Sequence, residues 1–185
     1  MTTLVLRALA ALLVCLSAGL VGCGPGVGGT GHGEPAFSVD FFGARAASVC
    51  TSALSSALVC PAGGDPNPPG PTSPVDAGSA AVLLADSAAA LRLSAEINGN
   101  LIQVEAHCDG LVFLGRWGVL PDGQARYFGS LTTPASADAQ PAVLSATATV
   151  NGGLSVQLTD AAGARLYGPL GLQRVDMLPP RAGCP

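Results

Sequence analysis

Apolar and polar residues alternate along most of the stretch from 80 to 185, and short turn signals interrupt the alternation. An alternation with a period of two is typical of a β-strand that has one face buried. We therefore predict an all-β domain over 80–185, a single small antiparallel meander of about eight strands that forms a barrel or a sandwich. The turn signals are Asn98-Gly99, Asp109-Gly110, Pro121-Asp122-Gly123, Asn151-Gly152-Gly153 and Asp160 to Gly163.

The turn signals also predict which residues of neighbouring strands face each other. A two-residue type I′ turn at Asn98-Gly99 pairs apolar with apolar residues on one face and polar with polar residues on the other. The apolar pairs are Ala95 with Ile102 and Leu93 with Val104, and the polar pairs are Arg92 with Glu105 and Ser94 with Gln103. Later turns predict Phe113 opposite Ala106, Trp117 opposite Ile102, Tyr127 opposite Trp117, Val150 opposite Leu154 and Ala148 opposite Val156.

Three segments of different character precede this domain. Residues 23–35 form a Gly-rich tether, and residues 36–60 form a short appendage that begins with an alternating strand at Ala36–Phe42. Residues 61–79 form a linker with six Pro and four Gly, a composition that excludes a regular element.

Residues 1–22 have the parts of an export signal: Arg7, an apolar run from Ala8 to Leu16, and then small residues. The next residues, Leu20-Val21-Gly22-Cys23, resemble the lipobox of bacterial lipoproteins. The resemblance implies cleavage before Cys23, acylation of this residue with palmitate among its chains and, with Gly24 following, sorting to the outer membrane. We therefore expect a lipoprotein of the cell envelope, anchored by lipid at Cys23, with its domain in the periplasm or at the surface.

Four further cysteines, Cys50, Cys60, Cys108 and Cys184, predict two disulfides in an oxidising compartment. A helix over Ala44–Val59 would separate Cys50 from Cys60 by roughly 15 Å and prevent their pairing. An irregular segment would allow Cys50–Cys60 and leave Cys108–Cys184. Ser and Thr at positions 51, 52, 55 and 56 weaken a helix, which favours the second connectivity.

Composition and motifs argue against nucleic-acid binding and catalysis. The chain has 8 Lys and Arg against 12 Asp and Glu, for a net charge of −4, without the basic cluster that nucleic acids attract. Its two histidines are His32 in the tether and His107, which the alternation predicts as an exposed strand residue near Glu105. The sequence has neither a metal-ligand pattern nor a serine-nucleophile motif. We expect no enzymatic activity, no catalytic residue, no metal and no cofactor.

These observations favour a non-enzymatic interaction or structural module of the cell envelope, with an envelope protein as a partner besides the membrane. A second hypothesis is a small apolar ligand carrier with a pocket at Phe113, Trp117 and Tyr127. Gly115-Arg116-Trp117 fits the short G-x-W element of lipocalins and implies a lipocalin-like barrel, although in that family the element lies on the first barrel strand.

A third hypothesis is inhibition of a cell-wall-degrading enzyme. Val104–Gly110 and Gly163–Gly168 are similar to short segments of lysozyme-inhibiting lipoproteins. The strand aromatic that this similarity implies near Ala106 is missing, so no site residue is transferred.

Overall fold

The computed structural model describes residues 35–58, 60, 81–87 and 89–184. The predicted export signal, the predicted lipid acceptor Cys23, most of the predicted tether and the predicted linker at 61–79 lie outside the described residues. The predictions made for these segments stay predictions.

The described chain is built almost entirely of strands. It contains one short helix, α1 (Val39–Phe42), and nine strands. The strands are β1 (Arg45–Ala46), β2 (Val82–Ala85), β3 (Leu93–Asn98), β4 (Leu101–Ala106), β5 (Leu111–Val119), β6 (Ala125–Thr133), β7 (Ser136–Ala148), β8 (Leu154–Asp160) and β9 (Arg165–Val175).

Strands β2 to β9 form a closed antiparallel barrel. Each strand pairs with the next along the chain, and β9 pairs with β2 to complete the ring. Strand β1 lies outside the ring, where Arg45 and Ala46 pair with the end of β5 that β4 does not reach. The predicted all-β meander of about eight strands is confirmed, and the architecture is a barrel.

The hairpin between β3 and β4 joins the two predicted strands, but its register differs by two residues, so the predicted residue pairs, such as Ala95 with Ile102, are wrong. Asn98 pairs with Leu101, so Gly99 and Asn100 form the turn in place of Asn98-Gly99. Gly99 has φ 55°, and among the described residues only glycines have positive φ. A type II′ turn needs positive φ at its first central position alone, whereas the predicted type I′ turn would have required it at Asn98 as well.

The same two-residue shift occurs at two other hairpins. Val104, not Ala106, faces Phe113, and Ala148 faces Leu154 instead of Val156. The β7–β8 loop is closed by a hydrogen bond from the Thr149 amide to the Gly153 carbonyl, which leaves Gly152, at φ 75°, as its third residue. A three-residue hairpin loop favours a left-handed glycine at that position.

A shift of two residues leaves every side chain on its predicted face, because side chains alternate with a period of two. The inward residues therefore form one apolar core inside the barrel, as the alternation predicts. The largest buried side chains of this core include Tyr127, Phe113, Ile102, Leu84, Leu144, Leu154 and Leu172. Trp117 lies directly opposite Tyr127, which confirms that pair.

The strand predicted at Ala36–Phe42 is wrong, because this segment contains α1. The helix places Val39 and Phe42 three residues apart on one face, where both pack against Phe128 and Val143 on the outer wall of the barrel. The rings of Phe42 and Phe128 lie 5.3 Å apart. Packing against the barrel thus decides the conformation of a segment too short to be decided by its own alternation.

The two disulfides are Cys50–Cys60 and Cys108–Cys184, which confirms the favoured connectivity. Between Ala47 and Leu58 the described chain forms two short 3₁₀ turns, at Val49–Thr51 and Ser55–Ala57. Side-chain hydroxyls there bond to nearby backbone: the Ser48 Oγ accepts from the Cys50 amide, and the Thr51 Oγ1 donates to the Ser48 carbonyl. These bonds compete with helix formation and bring Cys50 within reach of Cys60.

Candidate functional site

The three residues predicted to line an apolar pocket come together inside the barrel. Phe113 and Tyr127 are fully buried and Trp117 is 4% exposed. The rings of Trp117 and Tyr127 lie 4.9 Å apart at 69°, an edge-to-face arrangement. They contact other apolar side chains of the same core, so they fill the interior.

The hydroxyl of Tyr127 is an unusual feature of this interior. It is buried and has no hydrogen-bond partner among the described residues. Burial raises the pKa of this hydroxyl well above its ordinary value of 10.0, because a phenolate would be deprived of water. A buried hydroxyl without a partner destabilises a fold, so Tyr127 marks a position where the core is not purely apolar.

A second cluster lies on the outer wall of the barrel, beneath the chain that follows β9. Residues 176–184 return along the start of β3: the Leu91 amide donates to the Pro180 carbonyl and the Ala182 amide donates to the Leu91 carbonyl. Cys184 is joined to Cys108, which lies in the turn that follows β4. We call residues 176–184 the C-terminal strap.

The strap and the outer wall enclose a groove of about 230 Å³. The outward residues of β3 and β4 form its floor, and strap residues form its other side. We call this cavity the strap groove. Its lining residues are Leu91, Ser94, Glu96, Gln103, Glu105, His107, Leu178, Pro179 and Arg181.

Three of these side chains form a continuous polar chain. The Ser94 Oγ lies 3.2 Å from Nε2 of His107, and Nδ1 of His107 lies 3.5 Å from Oε2 of Glu105. A carboxylate only accepts hydrogen bonds, so the His107 tautomer with hydrogen on Nδ1 suits this arrangement. Nε2 then accepts the hydrogen bond that the Ser94 hydroxyl donates.

Glu105 has two further partners. Its Oε1 accepts from the Gln103 side-chain amide, and its Oε2 lies 3.5 Å from Nη2 of Arg181. The side chain of Arg181 is 72% exposed, whereas that of Glu105 is 27% exposed. The groove therefore combines carboxylates on the barrel wall with the long, exposed, positively charged side chain of Arg181 on the strap.

His107 was predicted to be an exposed residue, and this prediction is wrong because the side chain is buried. The residue does project from the polar face near Glu105, but its side chain is only 8% exposed because the strap groove encloses it. Ser94 is likewise 5% exposed although it points away from the core.

The sequence signal for this cluster is present but incomplete. The alternation places Ser94, Glu105 and His107 on one polar face, yet the predicted register put Ser94 opposite Gln103. The two-residue shift sets Ser94 opposite Glu105 and so brings it close to His107. The strap that covers them has no alternating pattern from which its position could be predicted.

Several other carboxylates serve the turns. Oδ1 of Asp122 accepts from the Gln124 amide, and Oδ1 of Asp160 accepts from the Ala164 amide. Asp109 accepts a 2.7 Å hydrogen bond from the hydroxyl of Tyr167. Partial burial, this hydrogen bond and the charges of Asp109 and Asp86 raise the pKa of Tyr167 to about 12.

The fold and the groove define a disulfide-stapled, closed antiparallel β-barrel with a polar cluster on its outer wall. No protein-family model, curated protein or solved structure matches this chain.

Within the described ranges, His, Cys, Asp and Glu do not gather in groups of three or more that could hold a metal ion. The helical part of the described chain includes nothing long and apolar enough to cross a membrane.

Proposed function

We propose that this chain is an exported, lipid-anchored module of the cell envelope that binds a partner protein through the strap groove. The lipobox-like Leu20-Val21-Gly22-Cys23 supports export and anchoring. Two disulfides support an oxidising compartment, because such bonds persist outside the cytoplasm and are rare within it.

The observation that carries the binding role is the contrast between the two faces of the barrel. The inside is filled by the chain's own apolar side chains, including Phe113, Trp117 and Tyr127. The outside has a groove in which hydroxyl, imidazole, carboxylate and guanidinium groups converge. A few converging polar groups in a concave surface are typical of a recognition site.

The charges of the groove favour a partner that presents a basic side chain. Glu105 lies on the barrel wall, and Arg181 lines the groove beside it. The contact between Arg181 and Glu105 is a long one with an exposed guanidinium, and such surface ion pairs contribute little stability. A partner's Lys or Arg can therefore take the place of Arg181 beside Glu105.

Site-specific photo-crosslinking in living cells tests this proposal. A photoreactive amino acid replaces Leu178, at the wall of the groove, and a matched variant carries it at the fully exposed Val150. We expect one discrete crosslinked species from position 178 that is reduced when Glu105→Gln is added. Equal crosslinking from both positions, or none from position 178, would contradict binding at the groove. A cell-wall-degrading enzyme as the crosslinked species would support the third sequence-based hypothesis.

A second candidate function, carriage of a small ligand inside the barrel, is favoured by the unpartnered Tyr127 hydroxyl. A ligand with a hydrogen-bonding atom would satisfy that hydroxyl next to Trp117 if it displaced the core side chains that fill the interior. Native mass spectrometry of the purified chain, together with Trp117 fluorescence, tests this candidate. A bound mass that is lost in Tyr127→Phe supports it, and an empty chain with unchanged fluorescence on adding fatty acids argues against it.

A further inference from the structure

We infer that Ser94 is a nucleophile, with His107 as its general base and Glu105 as the carboxylate that orients His107, and that the strap groove takes a short-chain carboxylic ester. This goes beyond partner binding and does not depend on it, or on the lipid anchor. Sequence patterns gave no reason to join Ser94 to His107, and the fold supplies the connection.

The Ser94 hydroxyl, the His107 imidazole and the Glu105 carboxylate follow one another in the order that activates a serine for nucleophilic attack. A serine hydroxyl is a weak nucleophile until a neighbouring base accepts its proton. Nε2 of His107 lies 3.2 Å from the Ser94 Oγ, within the range for this transfer. Oε2 of Glu105 lies 3.5 Å from Nδ1 on the opposite side of the imidazole, where it stabilises the imidazolium that forms.

The backbone holds the three groups in this relation. Ser94 and Glu105 are directly opposite each other in the β3–β4 ladder, and the His107 amide donates to the Arg92 carbonyl at 2.8 Å. The disulfide at Cys108 then fixes the chain immediately after His107. Ser94 and Glu105 are carried on paired strands and His107 directly follows β4, and groups fixed to paired strands keep their geometry better than groups carried on loops.

The groove sets the class of substrate. Its volume of about 230 Å³ suits a short acyl group, and its lining includes Leu91, Leu178 and Pro179 for apolar contact. Arg181 also lines the groove and, with one Nη near Glu105, has further N–H donors for the negative charge that develops on the ester carbonyl oxygen.

The reaction is ordinary ester hydrolysis in two steps. The Ser94 Oγ bonds to the ester carbonyl carbon while its proton passes to Nε2 of His107, and the bond to the leaving alcohol breaks as His107 returns that proton to it. Water then attacks the acyl-serine, His107 takes its proton and gives it to the departing Ser94 Oγ. The net change is ester plus water to carboxylic acid plus alcohol.

Labelling with a fluorophosphonate, followed by peptide mass spectrometry, tests the nucleophile on the disulfide-bonded chain. In the unmodified sequence we expect the adduct on Ser94 and not on Ser145, a half-buried strand serine that also points away from the core. Ser94→Ala removes the adduct, and Ser145→Ala leaves it unchanged. Labelling of Ser94 no faster than that of Ser145 would overturn the inference without the need for any variant.

The rate of fluorophosphonate labelling also tests the roles of His107 and Glu105. His107→Gln should slow labelling by about 100-fold, since a positioned base contributes at this level. Glu105→Gln should slow it on the order of 10-fold, and Glu105→Asp, which keeps the carboxylate, should recover part of that loss. A His107→Gln variant that folds and labels at the original rate would overturn the role of His107.

Hydrolysis of p-nitrophenyl acetate and butyrate tests the substrate class. We expect turnover that is lost in Ser94→Ala and retained in Ser145→Ala. Labelling without turnover of either ester would overturn the hydrolytic role. Crosslinking from position 178 is measured separately, so the failure of this inference and the failure of partner binding give different results.

Discussion

Trp117 and Tyr127 face each other across β5 and β6, with their rings edge to face and 4.9 Å apart in the centre of the barrel. The contact is tight, yet the Tyr127 hydroxyl finds no partner among the described residues. An aromatic contact of the core therefore contains a buried polar atom that has no partner among the described residues.

Tyr127→Phe should leave the free energy of unfolding unchanged or raise it by about 1 kcal/mol, because it removes a buried hydroxyl without a partner. Urea unfolding monitored by Trp117 fluorescence measures this. Tyr167→Phe is the matched control: it removes a hydroxyl that donates to Asp109 and should lower the free energy of unfolding by about 1 kcal/mol. If Tyr127→Phe instead lowers the free energy of unfolding by more than about 1 kcal/mol, the Tyr127 hydroxyl has a hydrogen-bond partner in solution.

Gly129→Ala should destabilise the barrel by about 3 kcal/mol, because its new Cβ would collide with the Leu114 carbonyl oxygen and lie 2.8 Å from the Gly115 Cα. These are backbone atoms of the paired strand and cannot rotate away. Thermal unfolding measures the effect. Gly171→Ala, on β9, has no atom within 4 Å of its new Cβ and should change stability little. Equal effects of the two substitutions would argue against the tight approach of β5 and β6.

The disulfides should differ in their contributions to stability, because one closes a much longer loop. The sequence separation is 76 for Cys108–Cys184 and 10 for Cys50–Cys60. Loop-closure entropy then predicts that the Cys108→Ser/Cys184→Ser pair loses about 2 kcal/mol more than the Cys50→Ser/Cys60→Ser pair. Denaturant unfolding of both double variants gives the comparison. A smaller loss for the long loop would mean that the strap is held mainly by other contacts.

The two tyrosines of the chain should resist ionisation at high pH. The pKa of Tyr167 is raised to about 12 and that of Tyr127 is raised as well, from an ordinary value of 10.0. Above pH 10 the unfolded chain loses these protons before the folded chain does, so the free energy of unfolding falls as the pH rises from 10 through the raised pKa values. Absorbance at 295 nm should show almost no tyrosinate in the folded chain at pH 10.5. If the tyrosines of the folded protein are half-ionised near pH 10, their pKa values are not raised and the account of both environments is contradicted.

Local chemistry predicted much of the fold. The turn at Pro121-Asp122-Gly123 fixes the pair of Trp117 with Tyr127, and the alternation fixes which side chains lie inside. The register of β3 and β4 was missed by two residues because Asn98-Gly99 and Gly99-Asn100 both support a turn and both keep the same faces. That small shift is what sets Ser94 opposite Glu105.

The rest of the candidate site depends on contacts between distant parts of the chain. The strap is a Pro-containing segment without periodicity, and its place over β3 follows from the Cys108–Cys184 bond and from hydrogen bonds to Leu91. Burial of His107 is a consequence of that placement. A pattern that reports only which face a residue occupies cannot predict what later covers that face.

The intact mass of the protein extracted from bacterial membranes under non-reducing conditions tests the central claim, a lipid-anchored and disulfide-bonded envelope module. We expect a chain that begins at Cys23, carries acyl groups, and is four hydrogens lighter than its reduced form because of the two disulfides. A chain that retains residues 1–22 without acyl groups, or that has its full reduced mass, would contradict this account.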